Sequence, residues 1–446
     1  MSAEYQGAEL PPEEQAVLVA LEKQIGQVIT NNNGKGKYLP RVGLNFEEKD
    51  GHVTSLELAY GLQYLPDSIG ELKSLQELSL GRNQLSSLPE SISQCSELNW
   101  LNLDLNQFVT LPDAICELKS LKSLHAICNQ LSTLPETLDS LTNLESLSLE
   151  GNQFTSFPDV ITRMPWLKML NLSQNKIDII PDTIGQIEAL RTLELVGNQL
   201  EVLPEQVVNL KKLTELSLGG NEFLELPPVL DQLTGLQSLS LEQTRINSFV
   251  QSVSRLTWLE SLFIGKNSFS SLHESIGDLV NLNMLSINKS NLTALPATIG
   301  NLVKLENLNV SENRLVFLPE SIGNLVELKT LNLGHNMLTS LPDSIGNLVN
   351  VKDLNLCSNS LTTLPRAIGH LRALEMLHLE NNHELFSLPT TLYYLSSLQK
   401  LDLRWDELLE PTKALWATLL TLAKNQCEII YQHRGWEIMF EGEMFK

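Results

Sequence analysis

Three side chains able to ligate zinc, His335, Cys357 and His378, recur at nearly one fixed interval, with His383 close behind. Zinc takes about four such donors at bond lengths near 2 Å. The interval drifts, which spreads these residues along their segment, so they are expected to be scattered surface groups and no metal is expected. "NNNGKGKYLPR" (31–41) invites a phosphate-loop reading. It lacks the GxxxxGK[ST] spacing and does not lead from a strand into a helix. The expectation is a linker in which Lys35, Lys37 and Arg41 make a local basic spot. No Ser-His-Asp or Cys-His arrangement can be placed by local motif, and no acid pair stands out from the solvated carboxylates. The residues support neither an enzyme nor a cofactor site, and binding is the function left to seek.

Bulk composition narrows the class of partner. The 446 residues carry 31 basic and 53 acidic side chains, a net charge of −22. Such a surface repels phosphate backbones and anionic headgroups, so neither nucleic acid nor membrane insertion is expected. Five cysteines, an odd number without paired spacing, do not make a disulfide framework. The start, "MSAEYQGAEL", lacks a basic region followed by an apolar one, and no apolar run approaches membrane-spanning length. The expected setting is cytoplasmic.

The chain is too long for one compact core of ordinary size, and a repeat resolves this. "LQELSLGRNQLSSLPESISQCSE" (75–97) recurs every 23 residues as LxxLxLxxNxLxxLPxxIxxLxx, in about sixteen units. In LxLxx the period of two turns the leucines inward and the residues between them outward, on one face of a parallel sheet. Leu88, Ile92 and Cys95 recur at i, i+4, i+7, so the return segment is a short helical or 3-10 turn that the proline starts. The asparagine, from Asn83 to Asn382, both donates and accepts, and can satisfy backbone groups where the chain bends inside the core. Thr244 and Ser290, which replace it in two units, can form part of the same bonds. The unit around Leu58 is one residue short, and one residue is inserted before Phe386.

These features predict an α/β repeat fold: a leucine-rich-repeat solenoid, or horseshoe, with a parallel concave sheet, short convex turns and terminal caps. Residues 1–52 form an N-terminal helical cap and linker, 53–411 the solenoid, and 412–446 a cap helix and a segment able to form a hairpin. In the first cap Leu18, Leu21, Ile25 and Val28 share a helical face; in the last, Leu415, Leu419 and Leu422 do. Trp166 and Trp258 fall where return segments re-enter strands, and are expected to pack.

The 23-residue unit, shown best by "LPESIGNLVELKTLNLGHNMLTSLPDSIGNL" (318–348), resembles the Ras-group leucine-rich-repeat proteins and similar intracellular bacterial and archaeal repeat proteins. That resemblance implies a non-catalytic scaffold holding a partner protein, a small GTPase or signalling enzyme, on its concave strand face. One scaffold of that group has a phosphatase-docking RVxF motif; "RVGLNF" (41–46) places its aromatic two residues too late to match.

Sites are then sought at outward strand positions, which packing does not dictate. The residue before each middle strand leucine is polar in every coil but one, where Phe263 stands. Around it "TRINSFVQSV" (244–253) has Val250 for the expected proline, and the next unit has His273 there. Arg245, Lys266, Met284 and Lys289 fall on the same side, a basic and apolar island on an acidic chain. Trp100, Leu105, His125 and Ile127, beside Asp104 and Cys128, form a second candidate patch. A different reading is a structural, self-associating module, for which the near-copies "TIGNLVKL", "SIGNLVEL" and "SIGNLVNV" (298–305, 321–328, 344–351) offer a regular convex surface. A peptide-sensing receptor module is a third and weaker reading.

Overall fold

The computed structural model describes residues 3–32, 43–246, 255–385, 387–404, 413–424, 426–433 and 436–440. Val250 and most of the 31–41 stretch lie outside them. So do Phe386 and the side chain of Leu415. The chain divides into two compact units, Met1–Asn221 and Glu222–Lys446.

The first unit opens with a hairpin, Ala3–Tyr5 against Ala8–Leu10, turned by Gln6 and Gly7 at positive φ. A helix over Pro12–Ile25 follows, with proline in its first turn and Gly26 at φ 75° donating its N–H to the Glu22 carbonyl. It buries Val17, Leu18 and Leu21. Val28 does not share that face: it lies beyond the Gly26 cap and is exposed. Glu14 is buried, yet both its oxygens are occupied, by the Val53 N–H at 2.8 Å and the His52 Nδ1 at 2.7 Å. Leu44–Lys49 then pairs antiparallel with His52–Leu58 through Asp50 and Gly51, both at positive φ. The Asp-Gly pair is a hairpin signal, and here it joins the first antiparallel pair of the sheet, which Thr30–Asn31 extends by pairing parallel with Leu44–Lys49.

From His52–Leu58 onward the strands are parallel. Leu56 pairs with Leu78, Leu78 with Leu101 and Leu101 with Leu124, and so on through the unit to Leu216. The first step is the short one, as the sequence requires. In the second unit the register runs from Ser238–Ser240 through Lys400–Leu403, with the extra residue taken up between Leu377 and Leu401. Glu428–His433 adds one more parallel strand, and Trp436–Phe440 closes against it antiparallel. The helix over Lys413–Lys424 precedes them and buries Leu419 and Leu422.

Most of the described return segments are 3-10 turns such as Glu90–Gln94, with Ile92 N–H on the Pro89 carbonyl and Cys95 N–H on that of Ile92, both at 3.0 Å. Five residues between a φ-fixing proline and the next core leucine leave room for i→i+3 bonds but not for a longer helix. Asp159–Thr162 is a single α-turn in the same place. The buried asparagines link coil to coil. Asn152 donates to the carbonyls of Ala126 and Leu149 at 2.9 Å and accepts from the Leu131 N–H at 2.9 Å. Thr244 keeps part of this: its hydroxyl donates to the Leu241 carbonyl and to Asn267 Oδ1. Ser290 accepts from the Asn267 N–H at 3.4 Å. Cys95, fully buried, has its thiol pushed up to about 12 by desolvation, so it packs as a small apolar group.

Candidate strand-face binding site

Just before each buried asparagine the backbone turns through a left-handed residue. Glycine fills this corner at 151, 197 and 220 (φ 66–69°). Elsewhere a side chain is forced into it, and Leu105 (φ 57°), Cys128, Lys266 and Lys289 are among these. The corner holds its side chain at the rim of the outward strand face, so three of the residues singled out by sequence, Leu105, Lys266 and Lys289, sit there. A bulky residue at positive φ is a strained choice.

The structure brings the first patch together. The rings of Trp100 and His125, on adjacent strands, lie 5.9 Å apart with planes tilted by 49°. His125 Nε2 is 2.9 Å from Ser123 Oγ. The Asp104 carboxylate accepts the Ile127 N–H at 2.7 Å, and the Leu105 N–H donates to the Ile127 carbonyl at 2.7 Å. Trp100, His125 and Ile127 are half-buried, while Leu105 is 43% exposed. Burial pushes the Asp104 carboxyl above its ordinary range, although the Ile127 N–H and His125 pull the other way.

Further along the same face of this unit stand carboxylates that sequence reasoning passed over. Glu150 reaches across to the Asn171 side-chain amide at 3.1 Å, and Asn171 pairs in register with Glu194. Desolvation, with Glu150 and Glu215 nearby, raises the Glu194 carboxyl above its usual value. Their outward strand positions were the available signal. Alternation alone does not tell a solvated carboxylate from a crowded one.

The second patch differs from its expectation in charge. Phe263 is half-buried, held in register between Ser240 and Ser286, and Met284 stands one row away between Ser261 and Asn307. The three cations are exposed, but each faces a carboxylate: Arg245 and Glu222 at 2.6 Å, Lys266 and Glu242 at 4.0 Å, Lys289 and Glu312 at 3.2 Å. The island is therefore apolar with alternating charges rather than basic. Solvent-exposed pairs of this kind contribute about 1 kcal/mol or less. His273 keeps the shape of the turn without the proline. Its φ and ψ, −69° and 147°, match those of Pro89, and its Nδ1 accepts the Ser275 N–H.

His335, Cys357 and His378 do not converge on one point. Among the described residues the group that does is His378, Glu380 and Asp402, whose ligand atoms lie within 4.8 Å of one another. Both oxygens of Asp402 already receive the forked guanidinium of Arg404, at 3.0 and 2.7 Å. Of the packing tryptophans, Trp166 donates its indole N–H to the Leu141 carbonyl at 3.1 Å. No described helix is long and apolar enough to cross a membrane.

Several known proteins share this architecture. The family model described as a leucine-rich repeat region matches residues 51–158, 155–269 and 319–424, and a single leucine-rich-repeat model matches 304–325. A leucine-rich-repeat protein of Leptospira interrogans is similar over 84% of this chain and 94% of its own, at 31% identity and a TM-score of 0.68. A TDR receptor is similar at 26% identity, over 82% of this chain and 70% of its own, with a TM-score of 0.62. An internalin of Listeria monocytogenes is similar at 25% identity, over 64% and 81% of the two chains, with a TM-score of 0.54. No curated protein matches the sequence. The register, the asparagine bonds and these matches agree: the chain belongs to the leucine-rich-repeat family.

Proposed function

We propose that the chain is a non-catalytic scaffold that binds a partner protein on its strand face, with the Trp100, Leu105 and Ile127 corner as the apolar anchor. Leucine-rich-repeat proteins generally mediate protein–protein interaction and are typically non-catalytic. The observation that carries the reading is Leu105: an exposed leucine at positive φ, in a corner that most other coils give to glycine or a polar side chain, beside the Trp100–His125 pair. Two unfavourable choices at one position, apolar exposure and backbone strain, are what a contact residue looks like. Crowded carboxylates at Asp104 and Glu194 favour a partner with a basic segment, because a cation beside them offsets the cost that burial puts on their charged form. A small GTPase or a signalling enzyme is the partner class that the family resemblance implies. Free thiols at all five cysteines support a cytoplasmic setting.

Phe263 favours a second contact in the other unit, since it is the one aromatic among small polar residues on its row. Affinity capture from native lysate separates the two readings. Wild type is compared with Trp100→Ala/Ile127→Asp and with Phe263→Ala/Lys266→Glu, each checked for an unchanged melting curve. A partner lost from the first variant alone supports the Trp100 corner; one lost from the second alone moves the site to Phe263. Retention of every partner by both variants would sink the strand-face reading.

A further inference from the structure

The second unit carries a regular apolar row away from the strand face. Val280, Val303, Val326 and Val349 occupy the same place on four successive coils, in the turn between the 3-10 segment and the strand. Each is between 44% and 50% exposed. At about 4.8 Å per coil the row is about 15 Å long. It ends abruptly, because the coils on either side have Thr257 and Arg372 there. Trp258, Asn281, Lys304, Glu306 and Glu327 line an open groove of about 560 Å³ along its flank.

The charges beside the two middle valines are arranged symmetrically. The residues following them are Asn281, Lys304, Glu327 and Asn350. Two places further on stand Asn283, Glu306, Lys329 and Lys352. We propose that this row is a homodimer interface, in which a second copy of the chain packs its own valine row antiparallel about a two-fold axis between the Val303 and Val326 coils. That operation sets Val303 on Val326 and Val280 on Val349 of the second copy. It also sets Lys304 against Glu327 and Glu306 against Lys329, twice each. Parallel rows would put Lys304 on Lys304 and Glu327 on Glu327, and like charges in apposition oppose docking. A self-complementary patch of this kind is what a two-fold contact requires. At the two middle coils the charges are complementary when the row is reversed, which is what a second copy of the chain would meet.

The row is also preorganised. Asn281 donates its amide to the Thr257 carbonyl and Asn350 to that of Val326, both at 2.8 Å, and Lys304 Nζ donates to Asn281 Oδ1 at 2.8 Å. Glu306 and Lys329 already pair at 2.7 Å within one copy, so docking exchanges pairs there, while Lys352, which meets Asn283, keeps its own pair with Glu375 at 3.0 Å. This surface is separate from the strand face, and the two proposals stand or fall independently.

Sedimentation velocity on the full chain at about 0.15 M salt tests the interface, since a Debye length of about 8 Å screens the repulsion of two anionic copies but not pairs in contact. Wild type is expected to rise from monomer toward dimer as concentration reaches the hundred-micromolar range. Val303→Asp, Lys304→Glu and Glu327→Lys are each expected to weaken the dimer at least about tenfold. Lys304→Glu combined with Glu327→Lys is expected to restore it to within about threefold of wild type, which loss of the Asn281 bond alone would not allow. The substituted side chains lie on the surface, and melting curves confirm each fold; Val326→Ser replaces any variant that fails to fold. A wild type that stays monomeric overturns the proposal. So does a dimer indifferent to the three single changes, or a double variant no better than its parents.

Discussion

The left-handed corner and the outward strand position are where a side chain is chosen for something other than the core. Core positions allow little choice: every strand leucine in the parallel registers is buried. Glu194 shows how a residue can be placed against its own stability. Desolvation, then Glu150 and Glu215, raises its carboxyl above the ordinary range. A carboxyl whose folded pKa exceeds its unfolded one favours the folded state while protonated. That contribution is present below the unfolded value and is lost as pH rises through the folded one. Glu194→Gln is therefore expected to raise the urea midpoint at pH 7, with the two curves converging by about pH 4, near the unperturbed glutamate value. A midpoint lowered by the substitution at pH 7 would show that Glu194 is held by favourable contacts instead. At this scale the sequence was a partial guide. A period of two exposes Trp100, His125 and Phe263 without any structure. It cannot show that Arg245, Lys266 and Lys289 each meet a glutamate, because that depends on the rotamers of separate long side chains.

Coils stack through their return segments as well as their strands, and a glycine in some of these segments shows how tightly. In the near-copies a Cβ on Gly323 would lie 2.5 Å from the Ser344 carbonyl oxygen of the next coil. The corresponding positions hold Gly70 and Gly185, where a Cβ would likewise lie 2.7 Å from the next coil's carbonyl, but Ser93 and Cys116 elsewhere, so the glycine answers to the local spacing of neighbouring coils and not to the 3-10 turn itself. Gly323→Ala must push backbone from backbone, and is expected to cost about 1–3 kcal/mol in urea denaturation. An unchanged midpoint would mean that the later coils relax outward as readily as those around Ser93. The coil elements were legible because each position serves one packing role and the pattern repeats it many times. The caps occur once and were less so. The helix over Pro12–Ile25 could be read from its apolar face. The Leu44–Lys49 strand fell within the segment assigned to helix and linker, and the Asp50-Gly51 turn that forms it went unread.

For the whole molecule the governing quantity is charge, −22 over 446 residues. Such a field acts over tens of ångströms at low salt, where the Debye length is about 30 Å at 0.01 M, and over about 8 Å at 0.15 M. It speeds the approach of a basic partner without fixing its final pose, which short-range contacts decide. The two effects separate in kinetics. Raising salt across that range is expected to slow association of a strand-face partner by at least about tenfold, with dissociation changing far less. Trp100→Ala is expected to do the reverse, shortening the lifetime of the complex while leaving its salt-dependent approach intact, because an apolar anchor acts only after contact. Surface plasmon resonance with a captured partner at several salt concentrations reads both rates. A flat association rate would mean that the carboxylates at Asp104, Glu150 and Glu194 do not face the partner, and the acidic charge would then serve solubility alone. A dissociation rate untouched by Trp100→Ala, alongside steep salt dependence, would move the contact from the aromatic corner to the acidic coils beyond it.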